Sequence, residues 1–182
     1  MNYAQLRAID QTINDTIFLP SSKSESNRSL IINALCNPPG KLSNLSSARD
    51  TQTMMRLLES ETHVADVIDA GTTMRFLTAY FAITNQQKTL TGTPRMCERP
   101  IGILVDALTH IGAEIAYQEK KGFPPHKINN FSKQLSSEIS IPGNVSSQYV
   151  SALLMIAPKL PKGLTINLIG EVGSRPYITM TI

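Results

Sequence analysis

Apolar positions along this 182-residue chain recur at two spacings, and the two alternate from one end to the other. Apolar residues at helical spacing behind a polar or Pro start predict helices over Ser24–Leu35, Thr51–Leu58, Thr72–Ile83, Pro100–Ile111 and Ser147–Ile156. Short strand-like runs predict strands at Asp15–Leu19, Lys41–Leu45, His63–Ile68, Lys88–Thr91, Glu114–Gln118, Glu138–Ile141 and Leu164–Ile169. Strands interleaved with helices in this way predict an α/β protein, in which a pattern of helix then strand pair recurs.

The punctuation agrees with that division. Gly112 stands just past the fourth helix, where a left-handed residue is expected, and Pro158 follows the fifth. Lys120-Lys121-Gly122-Phe123-Pro124-Pro125 reads as an exposed hairpin tip or hinge, because two prolines exclude regular helix. Ser174-Arg175-Pro176-Tyr177 supplies a Ser cap and a first-turn Pro, yet no stop signal follows before Ile182. The expectation is therefore a piece of a longer protein.

Composition narrows the function. With 41% hydrophobic residues the chain can fold around a core, and 17 Lys and Arg against 14 Asp and Glu give a mild charge of +3. The cations are spread rather than clustered, which favours a local anion site over a nucleic-acid-coating surface. Cys36 and Cys97 are too few for a disulfide framework or a zinc ligand set, so a reducing compartment is expected. No run approaches the roughly 20 apolar residues of a membrane span, and Met1-Asn2-Tyr3-Ala4 lacks a signal-peptide layout. A cytoplasmic location is expected. His63, His110 and His126 have no ligand spacing and read as structural or exposed, and no metal site is expected.

The candidate chemistry lies at helix starts, where unpaired N–H groups and the positive dipole end receive anions. Pro20-Ser21-Ser22-Lys23-Ser24-Glu25-Ser26-Asn27-Arg28 offers hydroxyls, Lys23 as a point charge and Arg28 as a two-pronged fork for a carboxylate. The plainer alternative is a Ser-capped helix with solvated charges. Asp69-Ala70-Gly71-Thr72-Thr73-Met74-Arg75 repeats the design, with Gly71 allowing close backbone approach; alternatively Arg75 pairs with Asp69 or another acid. In Pro94-Arg95-Met96-Cys97-Glu98-Arg99-Pro100, Glu98 can neutralise one Arg and leave the other spare. Gly143-Asn144-Val145-Ser146-Ser147-Gln148 adds uncharged donors, and Ser174 opens a fifth start. Five such starts suggest convergence on a polyanionic ligand.

Read in order, these segments resemble the 5-enolpyruvylshikimate-3-phosphate synthases. The matching stretches are Leu19 to Arg28, Asp69 to Arg75, Leu90 to Gly102, Val145 to Gln148 and Ser174 to Tyr177. The resemblance implies repeated βαβαββ-like units forming an inside-out α/β barrel domain, here truncated within the third unit. It implies that residues 1–20 form a strand segment belonging with a missing second domain, and that residues 21–182 form the incomplete first domain.

The implied reaction moves the enolpyruvyl group of phosphoenolpyruvate to the 5-hydroxyl of shikimate 3-phosphate, on the route to chorismate and aromatic amino acids. The implied contacts to shikimate 3-phosphate are Lys23, Ser24, Arg28, Ser146, Ser147, Gln148, Ser174 and Tyr177. Those to phosphoenolpyruvate are Lys23, Gly71, Arg99 and Gln148. No metal or organic cofactor, nucleic acid or membrane is implied; the catalytic groups belong to the missing half, so this chain alone is expected to be inactive. The whole enzyme is expected to be a monomer, and the fragment is expected to self-associate through uncovered surface.

Three departures stand out. Ser21 replaces a usual Gly, Asp69 a frequent Asn, and Phe76 a frequent Pro, while the short stretch from Asp50 to Asp69 implies a trimmed hairpin in the first unit. Two rival readings remain: a UDP-N-acetylglucosamine enolpyruvyl transferase, which usually carries Lys-Asn at the first helix, and a non-catalytic RNA-binding α/β module. The second conflicts with aromatics at only 5% and no Trp, since single-strand binders need stacking platforms.

Overall fold

The computed structural model describes residues 3–5, 7–8, 12 and 14–182. Helix α1 (Lys23–Leu35) is capped by Ser22, whose Oγ accepts the Glu25 amide at 3.3 Å. Helix α2 (Arg49–Glu59) buries Thr51, Thr53, Met54 and Leu57 along one face and turns its charged residues outward.

A complete βαβαββ unit follows. It comprises β1 (Val64–Asp66), α3 (Gly71–Ile83), β2 (Thr89–Thr91), the short α4 (Pro94–Cys97), α5 (Gly102–Ile111), β3 (Glu114–Tyr117) and β4 (His126–Asn130). The sheet order is β1-β2-β4-β3, with β1 parallel to β2 through Ala65 opposite Leu90, and β4 antiparallel to both its neighbours. The same order then begins again: β5 (Glu138–Pro142), α6 (Ser147–Ile156), a 3-10 turn at Ala157–Lys159, a parallel β6 (Thr165–Ile169) and α7 (Arg175–Thr179).

Helix α3 is apolar on nearly every side and is buried from Thr73 to Ala82, which makes it the centre of the molecule rather than a surface helix. Helices α1 and α6 pack against it and against each other. Phe76, Phe81, Met74 and Leu77 are fully buried there, and each contributes about 2 to 3 kcal/mol of burial free energy. Among the described residues no helix is long and apolar enough to cross a membrane.

The five helices expected from periodicity all form, and Gly112 ends α5 in the left-handed region at φ 119°. Two expected strands do not form. At Asp15–Leu19 the described residues pair with nothing and Ile17, Phe18 and Leu19 are exposed; a strand without a neighbouring ladder has no hydrogen bonds to hold it. Over Lys41–Leu45, Asn44 takes φ 56° and breaks the extension, while Leu42 and Leu45 fold back onto the core. Among the described residues the regular elements ahead of β1 are thus α1 and α2. Strand β4 was not expected because His126-Lys127-Ile128-Asn129-Asn130 looks polar, yet His126 and Ile128 face inward at strand spacing.

Lys120 to Pro125 is a hairpin tip joining β3 and β4, but it is not a free one. The Gly122 carbonyl accepts the Ile101 and Gly102 amides at 2.9 and 3.1 Å and so closes the start of α5.

Candidate anion-binding site

The beginnings of α1, α3 and α6 open on the same side of the core. Lys23, Ser24 and Arg28 from α1, Thr72 from α3, Ser146, Ser147 and Gln148 from α6, and Tyr177 from α7 line one cleft of about 300 Å³. Three helix dipoles and two cations therefore face one space, an arrangement suited to a phosphorylated ligand.

The polar atoms of the cleft are held in distinct ways. Ser146 Oγ caps α6 by accepting the Gln148 amide at 3.3 Å, and the Gln148 carboxamide donates to Thr72 Oγ1 at 3.1 Å. The α6 start is thereby tied to the first turn of α3. Lys23 Nζ lies 3.4 Å from Asp50 Oδ2 in a half-exposed pair that holds its charge at the rim.

Arg28 departs from its expected role as a two-pronged fork. It is buried, and it donates through Nε to Thr181 Oγ1 at 2.7 Å, through Nη1 to the Ser24 carbonyl at 3.0 Å, and through Nη2 to Ser151 Oγ at 2.8 Å and the Tyr177 carbonyl at 3.1 Å. Its guanidinium also lies over Phe76, 5.4 Å from the ring centre. A guanidinium has five N–H donors. Four are thus engaged by the protein, which leaves charge and one donor for a ligand. Burial lowers the Arg28 pKa, opposed by nearby Tyr177.

A second cleft of about 280 Å³ adjoins the other side of the α3 start and is lined by Asp69, Arg95, Met96 and Arg99. Helix α3 begins behind Ala70, which has no hydroxyl, and no side chain caps its first amides. By contrast, α1 and α6 carry Ser caps. The Arg99 guanidinium packs so closely on Gly71 that a Cβ there would fall within it. Glu98 does not pair with Arg99 or Arg95: among the described residues the ion pairs are Lys23 with Asp50 and Arg49 with Asp69. The expected alternative of Arg75 paired with Asp69 is excluded by that second pair, which leaves Asp69 turned to Arg49 at 3.3 Å.

The structure thus brings Lys23, Ser24, Arg28, Ser146, Ser147, Gln148 and Tyr177 together, with Gly71 and Arg99 next to them. Ser174 stands apart. It occupies the cap position of α7 at φ 51°, its hydroxyl makes no cap bond, and it does not line the cleft. Not all helix starts converge, because α5 is closed by Gly122. Thr72 joins the cleft although its motif marked it only as a helix-start hydroxyl, and no local signal marks Ser151 and Thr181, which hold Arg28 from 123 and 153 residues away in sequence.

Comparison with known proteins gives a consistent result. Residues 58–182 match the profile of the family described as EPSP synthase (3-phosphoshikimate 1-carboxyvinyltransferase). A 3-phosphoshikimate 1-carboxyvinyltransferase of Bacteroides fragilis is 54% identical over 171 residues, which is 93% of this chain and 41% of that protein. The one from Colwellia psychrerythraea is 43% identical over 197 residues, covering 93% and 46%. The chain therefore spans less than half the length of these relatives. The solved EPSP synthase of Acinetobacter baumannii superposes with a TM-score of 0.74 over 90% of this chain and 42% of that one, at 18% identity, and so shares the fold of repeated units. The profile match takes in more than half of the sequence, and the chain belongs to the EPSP synthase family.

Proposed function

We propose that this chain supplies one half of the site of an enolpyruvyl transferase that acts on shikimate 3-phosphate and phosphoenolpyruvate. The observation that carries this reading is the meeting of the α1, α3 and α6 starts at one cationic cleft, with Arg99 and the uncapped α3 amides beside it.

In this reading Ser146 and Ser147 take the 3-phosphate, Lys23, Ser24 and Arg28 contact the same substrate, Tyr177 lies close to it, and Gln148 lies against its ring. Ser174 is assigned to that phosphate from its motif alone. Gly71, Arg99, Lys23 and Gln148 take phosphoenolpyruvate. The 5-hydroxyl oxygen forms a bond to C2 of phosphoenolpyruvate, the bond from C2 to the phosphate oxygen breaks, and the hydroxyl proton passes to a base. Cations around the phosphate stabilise it as it leaves. Among the described residues, the lining of the Lys23 cleft contains no carboxylate or imidazole to serve as that base. This fits a division of labour in which the remaining part of the family's length supplies proton transfer.

The same reading assigns residues 21–182 to a first domain and residues 1–20 to a segment that docks on a second. Residues 1, 2, 6, 9–11 and 13 of that segment lie outside the described residues. The exposure of Ile17, Phe18 and Leu19 supports the assignment.

Calorimetric titration with shikimate 3-phosphate, with UDP-N-acetylglucosamine as a control, tests the reading. Saturable binding of the first only is expected, together with no phosphate release when both substrates are present. Failure to bind shikimate 3-phosphate would end this assignment, and turnover by the chain alone would end the division of labour.

A further inference from the structure

Arg75 is buried within α3 with only 3% of its surface exposed, and it has no carboxylate partner among the described residues. Side chains on a helix lean toward its N-terminus, and Arg75 follows that rule. Nη1 donates to the Gly71 carbonyl at 3.0 Å and Nη2 to the Pro100 carbonyl at 2.7 Å, while Nε has no partner among the described residues. The charge therefore sits under the first turn of α3, between Gly71 and the residue that follows Arg99.

The titratable groups facing it do not neutralise it. Tyr149 lies below the guanidinium at 5.9 Å and donates its own hydroxyl to the Pro100 carbonyl at 2.7 Å. Tyr117, near Tyr149, is a neutral phenol, its pKa pushed up to about 12 by burial and then by Asp106. His126 is a neutral imidazole, its pKa pushed down to about 4 by burial and then by Arg75 itself. Arg99 carries the same sign. Asp69, the acid closest in sequence, is engaged by Arg49 at the surface.

An isolated buried charge is costly unless something compensates it. Here Arg99 lines the cleft at the start of α3, and Arg75 lies behind that lining, beneath the first turn and its uncapped amides, so that the helix dipole and both guanidinium groups add positive charge at one place. We propose that Arg75 is a positioning residue of the anion site, a buried cation whose counter-ion is the phosphate-bearing ligand bound at the α3 start beside Arg99. This deepens the function proposed above and rests on it.

Its two carbonyl partners do not depend on it. Pro100 O also accepts from Tyr149, and Gly71 O is the acceptor of an ordinary helix bond one turn on. Neutral replacement should therefore leave a folded protein with a weakened site.

Inorganic phosphate binding is measured by calorimetry for the unmodified chain, Arg75→Gln and Arg75→Lys at two salt concentrations, with melting temperatures alongside. Arg75→Gln is expected to weaken phosphate about tenfold or more at low salt, and Arg75→Lys to restore affinity to within about threefold. A purely structural role would lower the melting temperature of both variants without separating their affinities. Equal phosphate affinity in folded Arg75→Gln and unmodified protein overturns the proposal, as does a loss in Arg75→Lys as large as that in Arg75→Gln.

If Arg75→Gln does not fold, the Arg75 Nε–H resonance of the unmodified chain decides the matter. It is expected to shift on phosphate titration with the calorimetric affinity, and a resonance that stays put refutes the idea. If the unmodified chain does not bind phosphate at all, the functional reading falls together with this one; if it binds and the variants match it, only the role of Arg75 falls.

Discussion

The guanidinium of Arg99 rests on the Cα of Gly71, in the space that any larger residue would fill with its Cβ. One residue at a helix start thus fixes where a loop cation sits, with the uncapped α3 amides alongside it.

Gly71→Ala should separate binding from stability. Gly71 does not have a positive φ, and Ala is the better helix former by up to about 1 kcal/mol, so the melting temperature should hold or rise. The Cβ must push Arg99 away, and affinity for phosphoenolpyruvate should fall about tenfold or more, since a charged hydrogen bond contributes about 1.5 to 3 kcal/mol. Calorimetry beside a thermal melt reads both. Unchanged affinity would show that the Arg99 contact is irrelevant to the ligand.

Arg28→Lys should destabilise the fold although the charge is kept. Lysine has three donors on one atom and cannot reach Ser24, Ser151, Tyr177 and Thr181 together as the planar fork does. A loss of about 3 kcal/mol in urea unfolding is expected, because several hydrogen bonds to a charged group are lost at a buried position. A shift within about 0.5 kcal/mol would mean that Arg28 is not the bolt joining α1, α6 and α7.

Thr72→Val should release the Gln148 carboxamide while preserving shape. The Thr72 to Gln148 bond at 3.1 Å joins two helix starts, and losing one neutral hydrogen bond of about 1 kcal/mol predicts roughly fivefold weaker binding of shikimate 3-phosphate. Titration of the variant checks this. Gln148→Ala should not add much on top of Thr72→Val if the two act through one contact.

His126 should make the fold sensitive to mild acid. Thr78 Oγ1 gives its proton to the Met74 carbonyl at 2.7 Å, so His126 Nε2, 3.0 Å away, must be the donor to Thr78, and Nδ1 is left bare and buried. Burial, then Arg75, push the His126 pKa down to about 4 from 6.5. Between those values the unfolded chain binds the proton and the folded chain does not, so stability falls as pH drops from about 6.5 toward 4, by roughly 3 kcal/mol in all. Melting curves across that range should show the slope, and His126→Gln should flatten it. An equal slope in the variant would assign the acid sensitivity to other groups.

The helices were legible because each carries its own start signal and a long periodic face. Ser22 caps α1, the plainer alternative for that segment, Ser146 caps α6 at a start read for its uncharged donors, and Gly112 stops α5 where a left-handed residue was expected. Strands were harder to read. Their hydrogen bonds lie in other segments, so Asp15–Leu19 looks like a strand and pairs with nothing among the described residues, whereas β4 looks polar and pairs on both sides. The seven cleft residues that came together were expected from their motifs, while Ser174 carried the same kind of signal and stayed outside the cleft.

Local sequence by itself determined which residues begin helices, where cations accompany them, and that these repeat along the chain in the family's order. Only the tertiary structure decided which beginnings share a space, that Arg28 spends four donors on its own fold, and that the Arg75 guanidinium lies beneath the first turn of α3 with no acid among the described residues paired to it. Capping and periodicity are satisfied within a few residues, whereas the balance of a buried charge depends on every group packed around it, and those groups come from distant parts of the chain.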